Sequence, residues 1–101
     1  MLESQLQDKS LALLKSRGFV GFKVTQGAYA TPGIFDWIGT SPIGIFTAIE
    51  FKKPGKYERP EDGLTPAQRK WYEKWRVIPN AIVLVIDDYD ELVRELERCG
   101  Y

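Results

Sequence analysis

Residues 33–55 read GIFDWIGTSPIGIFTAIEFKKPG. Two short apolar runs, 34–38 and 45–52, flank a turn-rich link over 39–44, the pattern of an antiparallel hairpin. In the second run the side chains alternate, with Ile45, Thr47, Ile49 and Phe51 facing one way and Phe46, Ala48, Glu50 and Lys52 the other. Glu50 and Lys52 therefore project from the same sheet face, about 7 Å apart along the strand. In the first run Asp36 stands among Ile34, Phe35, Trp37 and Ile38. A carboxylate in such a strand is costly unless it is paired, hydrogen-bonded or bound to a cation.

Outward from this hairpin, residues 3–17 form an amphipathic pattern with Leu2, Leu6, Leu13 and Leu14 as its stripe, and Gly18 closes it. Residues 19–25 read as a strand and 27–33 as a turn-rich passage. Residues 53–63 carry Pro54, Gly55, Pro60 and Gly63 and predict a long loop of eleven residues. Residues 65–76 predict a helix with Thr65 as N-cap and Pro66 at its first position. Residues 81–86 are a continuous apolar run, which predicts a strand covered on both faces in the middle of a sheet. Residues 88–99 predict a last helix with Leu92, Val93, Leu96 and Cys99 inward. The order α-β-β-β-α-β-α places the chain in the α/β class, as one domain around a single mixed sheet.

Composition narrows the chemistry. The chain has 101 residues, 44% of them apolar, with one cysteine and no histidine. Lone Cys99 excludes an internal disulfide, and without histidine the ordinary structural zinc sites and Ser-His-Asp or Cys-His nucleophiles are excluded. An enzyme built from this chain must use carboxylates, lysine, arginine, tyrosine or a metal held by oxygen. No apolar run approaches the roughly 20 residues that cross a bilayer. The start, MLESQLQDKS, lacks a basic-then-apolar layout, so a cytoplasmic location is expected. Net charge is zero, yet residues 52–76 hold eight Lys/Arg against four acids and residues 77–101 two against six. A basic middle suits a polyanion-facing surface, and solvated loop and helix faces produce the same split.

Each polar interruption also has an ordinary reading. Glu50 with Lys52 is a surface ion pair of little energetic weight. Asp36 is a strand-end turn cap. Gln68 completes a capping box with Thr65, although it also heads the inward stripe Gln68, Trp71, Tyr72 and Trp75. Taken together they make a different case. Two neighbouring strands present carboxylates near one sheet face, and two carboxylates with backbone carbonyls suit Mg²⁺ or Mn²⁺. Such an ion activates water and neutralises a phosphoryl group without any histidine.

Asp36, followed after a short hairpin by Glu50-Phe51-Lys52, resembles the PD-(D/E)xK nuclease signature. Residues 3–96 are similar to its VRR-NUC branch: a helix with an early glutamate, then Gly33-Ile-Phe-Asp36, then Ile49-Glu-Phe-Lys52-Lys-Pro-Gly55, then Leu64-Thr-Pro-Ala-Gln68-Arg-Lys-Trp71. The resemblance implies a restriction-endonuclease-like core spanning residues 1–101. It implies metal ligation by the Asp36 and Glu50 side chains and the Phe51 carbonyl, with Glu3 approaching directly or through water. Lys52 matches the catalytic lysine, and Gln68 the glutamine that completes the branch motif. The family usually carries proline before the aspartate, where this chain has Phe35.

The implied activity is a Mg²⁺- or Mn²⁺-dependent endodeoxyribonuclease acting on branched DNA and resolving Holliday junctions. Free-standing chains of this length resemble phage-encoded homodimers that work in the host cytoplasm. A nicking nuclease on ordinary duplex, or an inactive DNA-binding module of the same fold, are the alternative readings. Lys53, Lys56 and Arg59 follow the catalytic strand, and Lys70 and Lys74 lie one turn apart on the next helix. They form a candidate track for the DNA backbone.

Overall fold

The computed structural model describes residues 1–25 and 31–101. Its elements are α1 (Glu3–Ser16), β1 (Val20–Lys23), β2 (Trp37–Thr40), β3 (Phe46–Phe51), a 3-10 turn (Pro60–Gly63), α2 (Pro66–Trp75), β4 (Ile82–Ile86) and α3 (Tyr89–Arg98). They form one four-stranded sheet in the order β1-β2-β3-β4. The first three strands pair antiparallel, and β4 runs parallel to β3. A parallel neighbour needs a crossover connection, and the segment containing α2 supplies it. The mixed α/β architecture expected from the sequence is the one observed. Among the described residues no helix is long and apolar enough to cross a membrane.

The alternation of β3 sorts the core into two layers. Ile49 and Phe51 pack with Leu6, Leu14, Trp37, Leu92 and Leu96 on the face covered by α1 and α3. Ala48 packs on the opposite face with Phe35, Leu64 and Val85, and with Tyr72 and Trp75 of α2. Glu50 follows Ala48 in that parity, so its side chain lies on the α2 face. The paired residues Gly21 and Gly39 leave room for the Trp37 indole, since a Cβ at either would come within 2.5 Å of its ring.

Several boundaries differ from the sequence reading. The strand expected over 34–38 begins at Trp37, and Asp36 occupies the bend before it. The preceding passage is drawn away from the sheet toward α2: Phe35 is fully buried there, and Trp71 Nε1 donates to the Pro32 carbonyl at 3.1 Å. The ladder runs instead through Gly39 and Thr40, and the link shortens to a turn in which the Gly44 N–H donates to the Ser41 carbonyl at 2.9 Å. Of the passage 27–33, residues 27–30 lie outside the described residues.

The loop 53–63 is not wholly irregular, because Pro60, with its fixed φ, opens a 3-10 turn. β4 is an edge strand rather than a central one. Its apolar run reflects cover on both faces, with Ile82 and Ile86 in one core layer and Val85 in the other. In α1 the buried stripe is Leu6, Ser10 and Leu14, and Leu2 is exposed at the N-cap. Cys99, the residue that caps α3 beyond Arg98, is exposed rather than inward.

Gly33 ties this arrangement to α2. Its φ is +79°, and a Cβ there would lie 2.4 Å from the Ala67 carbonyl carbon and 2.7 Å from the Gln68 nitrogen. Gly33→Ala meets both the left-handed backbone and a wall of main chain, a combination worth at least about 2 kcal/mol. Chemical denaturation should show that loss, and a midpoint equal to the parent's would contradict the packing described.

Candidate active site

The register Trp37↔Ile49 is the last ladder pair between β2 and β3, and it sets Asp36 opposite Glu50. Beyond that pair the main-chain donors are taken by the two carboxylates. The Asp36 N–H donates to Glu50 Oε1 at 3.1 Å, and the Phe51 N–H donates to Asp36 Oδ2 at 2.9 Å. Each acid is thus fixed by the opposite strand. Within a strand, a residue's N–H and C=O point to the same edge. The Phe51 carbonyl therefore faces the same edge as its N–H, the edge on which Asp36 lies.

α2 closes the site from above the same sheet face. Gln68 Nε2 donates to Glu50 Oε2 at 2.7 Å, and Lys52 Nζ donates to Gln68 Oε1 at 2.9 Å. Lys52 Nζ also lies 3.1 Å from Glu50 Oε2. The same Gln68 Oε1 accepts the Thr65 N–H at 2.9 Å, while Thr65 Oγ1 accepts the Gln68 N–H at 3.2 Å. The capping box and the site contact are therefore one arrangement, and the two readings of Gln68 are compatible. Glu50 and Lys52 are not a surface pair, since their side chains are only 5% and 14% exposed.

Burial chiefly, and then the negative charge of Asp36, push the Glu50 carboxyl up from its ordinary 4.5 to about 7, against the opposing pull of Lys52. A hard divalent cation relieves both causes at once. The donor set fits one, because it is all oxygen. Among the described residues no three carboxylate or thiolate side chains come together as a metal-holding group. Glu3, at the first position of α1, is accordingly not gathered with Asp36 and Glu50.

Lys53, Lys56, Arg59, Lys70 and Lys74 are all exposed. Arg59 pairs with Asp62 at 3.6 Å, and the Lys56 ammonium lies 5.4 Å from the centre of the Tyr57 ring. Sequence reasoning did not foresee the anchor behind Asp36. Phe35 packs edge-on against Trp75, ring centres 5.2 Å apart, and is stacked on Tyr72 at 6.4 Å. This aromatic contact holds the strand entry where the resembled family has proline. The signal was present in the apolar stripe of α2, whose partner could not be named from spacing alone.

No family model and no curated protein match the sequence. A solved structure described as a "VRR_NUC domain" is similar to it, with a TM-score of 0.72 and 20% sequence identity over 94% of this chain and 94% of that chain. The chain has the fold of that domain.

The raised Glu50 pKa sets a pH dependence. Between pH 4.5 and about 7 the unfolded chain gives up this proton before the folded one does. In metal-free buffer stability should therefore fall as pH rises through that window, by on the order of 3 kcal/mol at most. Glu50→Gln should flatten that segment of the profile in chemical denaturation. An equally steep fall in the variant would assign the slope to another group.

Proposed function

We propose that the chain is a divalent-metal-dependent endodeoxyribonuclease whose site is Asp36, Glu50, the Phe51 carbonyl, Lys52 and Gln68. The observation that carries this is the reciprocal pair of bonds, Asp36 Oδ2 accepting from the Phe51 N–H and Glu50 Oε1 from the Asp36 N–H, with a half-buried lysine 3.1 Å from Glu50. An ion pair kept only for stability has no use for a second carboxylate beside it, since the added charge opposes burial. The similar solved structure is described as a VRR_NUC domain, which favours the nuclease reading over other uses of the fold. Glu3 joins this set through water at most.

Mg²⁺ or Mn²⁺ bound there supplies Lewis-acid activation of water and neutralises charge on the scissile phosphate. The chain's own groups do the rest. Asp36 and Glu50 fix the position of the charge, each locked by a main-chain donor. Gln68 holds Lys52 by its Oε1, so the ammonium is aimed before substrate arrives. Lys52 then donates to the attacking water or to a phosphate oxygen. The water oxygen bonds to phosphorus and releases a proton to solvent, the P–O bond to the leaving sugar oxygen breaks, and that oxygen takes up a proton from solvent. The substrate we favour is branched DNA, cut by a two-fold dimer that offers one site to each of two strands.

Labelled linear, forked and four-way DNA, incubated with Mg²⁺, Mn²⁺ or EDTA, tests the proposal. Cleavage of branched substrates should require metal and vanish in Asp36→Ala, while undiminished cleavage by pure Asp36→Ala protein would remove the metal site from the mechanism. Lys52→Arg keeps the charge but changes its geometry, and should slow turnover at least about tenfold, or ~1.4 kcal/mol in barrier.

The exposed basic residues make the electrostatic half of the account. Replacing Lys53, Lys56 and Arg59 together with alanine should weaken DNA binding uniformly across sequences and lower the salt slope by about 0.9 for each phosphate no longer neutralised. A slope equal to the parent's would place the DNA elsewhere.

A further inference from the structure

Beside the carboxylate site lies a separate cavity of about 270 Å³, lined by Thr31, Pro32, Ala67, Lys70, Trp71 and Lys74. Its helical wall is one stripe of α2, since Ala67, Lys70, Trp71 and Lys74 fall at i, i+3, i+4 and i+7. Its other wall is the passage leading into Asp36. Both walls lead toward the proposed site along the chain: Ala67 precedes Gln68, and Pro32 lies four residues before Asp36. Trp71 stands one helical turn from Gln68, about 5 Å along the axis.

The chemistry of the lining is specific. Trp71 Nε1 is already bonded to the Pro32 carbonyl, so the indole offers its ring rather than a donor. Packing on Trp75, with ring centres 5.2 Å apart and planes at 30°, holds the indole in place. The Lys74 ammonium rests 5.3 Å from the Trp71 ring centre, and Lys70 and Lys74 are both exposed. Among the described residues no acidic side chain lines the cavity. A fixed aromatic plane, with the Lys74 ammonium over it and exposed Lys70 on the same stripe, suits a flat ring carrying an anionic phosphate, the ammonium moving from the ring to the phosphate as the base arrives.

We propose that this cavity is a base-stacking subsite, in which Trp71 receives one unstacked base of the DNA strand next to the scissile phosphate and Lys70 and Lys74 hold that nucleotide's phosphates. This rests on the nuclease reading and adds to it a reason for preferring branched or locally opened DNA, where a base is free to leave the stack. Stacking on an aromatic side chain is tolerant of sequence, because every base has a π face. Trp71 is here a positioning residue: it sets which phosphate lies over Asp36 and Glu50 without touching the reacting atoms.

The test reads binding, in EDTA and without cleavage, on the intact chain. Its three tryptophans each give one indole N–H resonance in a ¹⁵N-labelled sample. The probes are a five-residue oligothymidylate and an abasic pentamer of equal charge. With the oligothymidylate the Trp71 resonance should shift and saturate while that of buried Trp37 stays in place, and the abasic pentamer should bind at least about fivefold more weakly. The exposed pair Lys70→Gln/Lys74→Gln, which keeps the side-chain stems along the cavity but removes both charges, should raise the oligothymidylate Kd at least about tenfold.

Trp71→Phe, which keeps a ring against Trp75, should bind with intermediate affinity. A Trp71 resonance that never moves, or equal affinity for the abasic pentamer, would overturn the subsite. Metal-dependent cleavage alongside a motionless Trp71 would refute the subsite alone. A shifting Trp71 without any cleavage would refute the nuclease reading alone.

Discussion

The antiparallel ladder between β2 and β3 stops one residue short of the carboxylates, and the rest of the site depends on that stop. Had the ladder continued, the N–H groups of Asp36 and Phe51 would have sought main-chain carbonyls. Instead each donates to an acid on the facing strand, at 3.1 and 2.9 Å. Charge-assisted bonds of this kind are stronger than neutral ones and hold their acceptors in one orientation. The stop itself is enforced from outside the sheet. Gly33, with φ at +79°, turns the chain into contact with α2, and buried Phe35 pins it there.

α2 is the second half of the same constraint. Its N-terminus is closed by Thr65 and Gln68, and Gln68 reaches past the cap to both Glu50 and Lys52. One glutamine thus joins helix stability to the placement of two charged side chains. The price is electrostatic: Glu50, buried beside Asp36, titrates near 7 rather than 4.5. A cation placed at those oxygens would have to displace that proton, so any metal binding there must strengthen as pH rises toward and past 7. Local instability of this sort is common where structure serves chemistry rather than packing.

Much of this was legible in the sequence. The alternation IFTAIEFK put Glu50 and Lys52 on one face, and β3 keeps that parity. The seven-element order follows from spacing and turn residues. What spacing could not supply was the partner of each apolar run. The residues 81–86 read as a central strand because both faces are covered, yet the cover comes from helices and β4 lies at the edge. Asp36 read as a strand residue because its neighbours are apolar. Phe35 is apolar for another reason, its burial against Tyr72 and Trp75. Gln68 offered a cap and a site contact as rivals, and only three-dimensional geometry makes them the same contact.

The central claim is that Asp36, Glu50 and the Phe51 carbonyl form a cation site. Paramagnetic broadening of backbone amide signals by substoichiometric Mn²⁺ near pH 7.5 measures it without any substrate. The account predicts that the amides of Asp36 and Phe51 broaden first, with Gln68 following across the sheet face, and that Asp36→Ala removes the effect. Broadening centred instead on the acidic start of α3, around Asp87, Asp88 and Glu91, or an effect unchanged in Asp36→Ala, would contradict it.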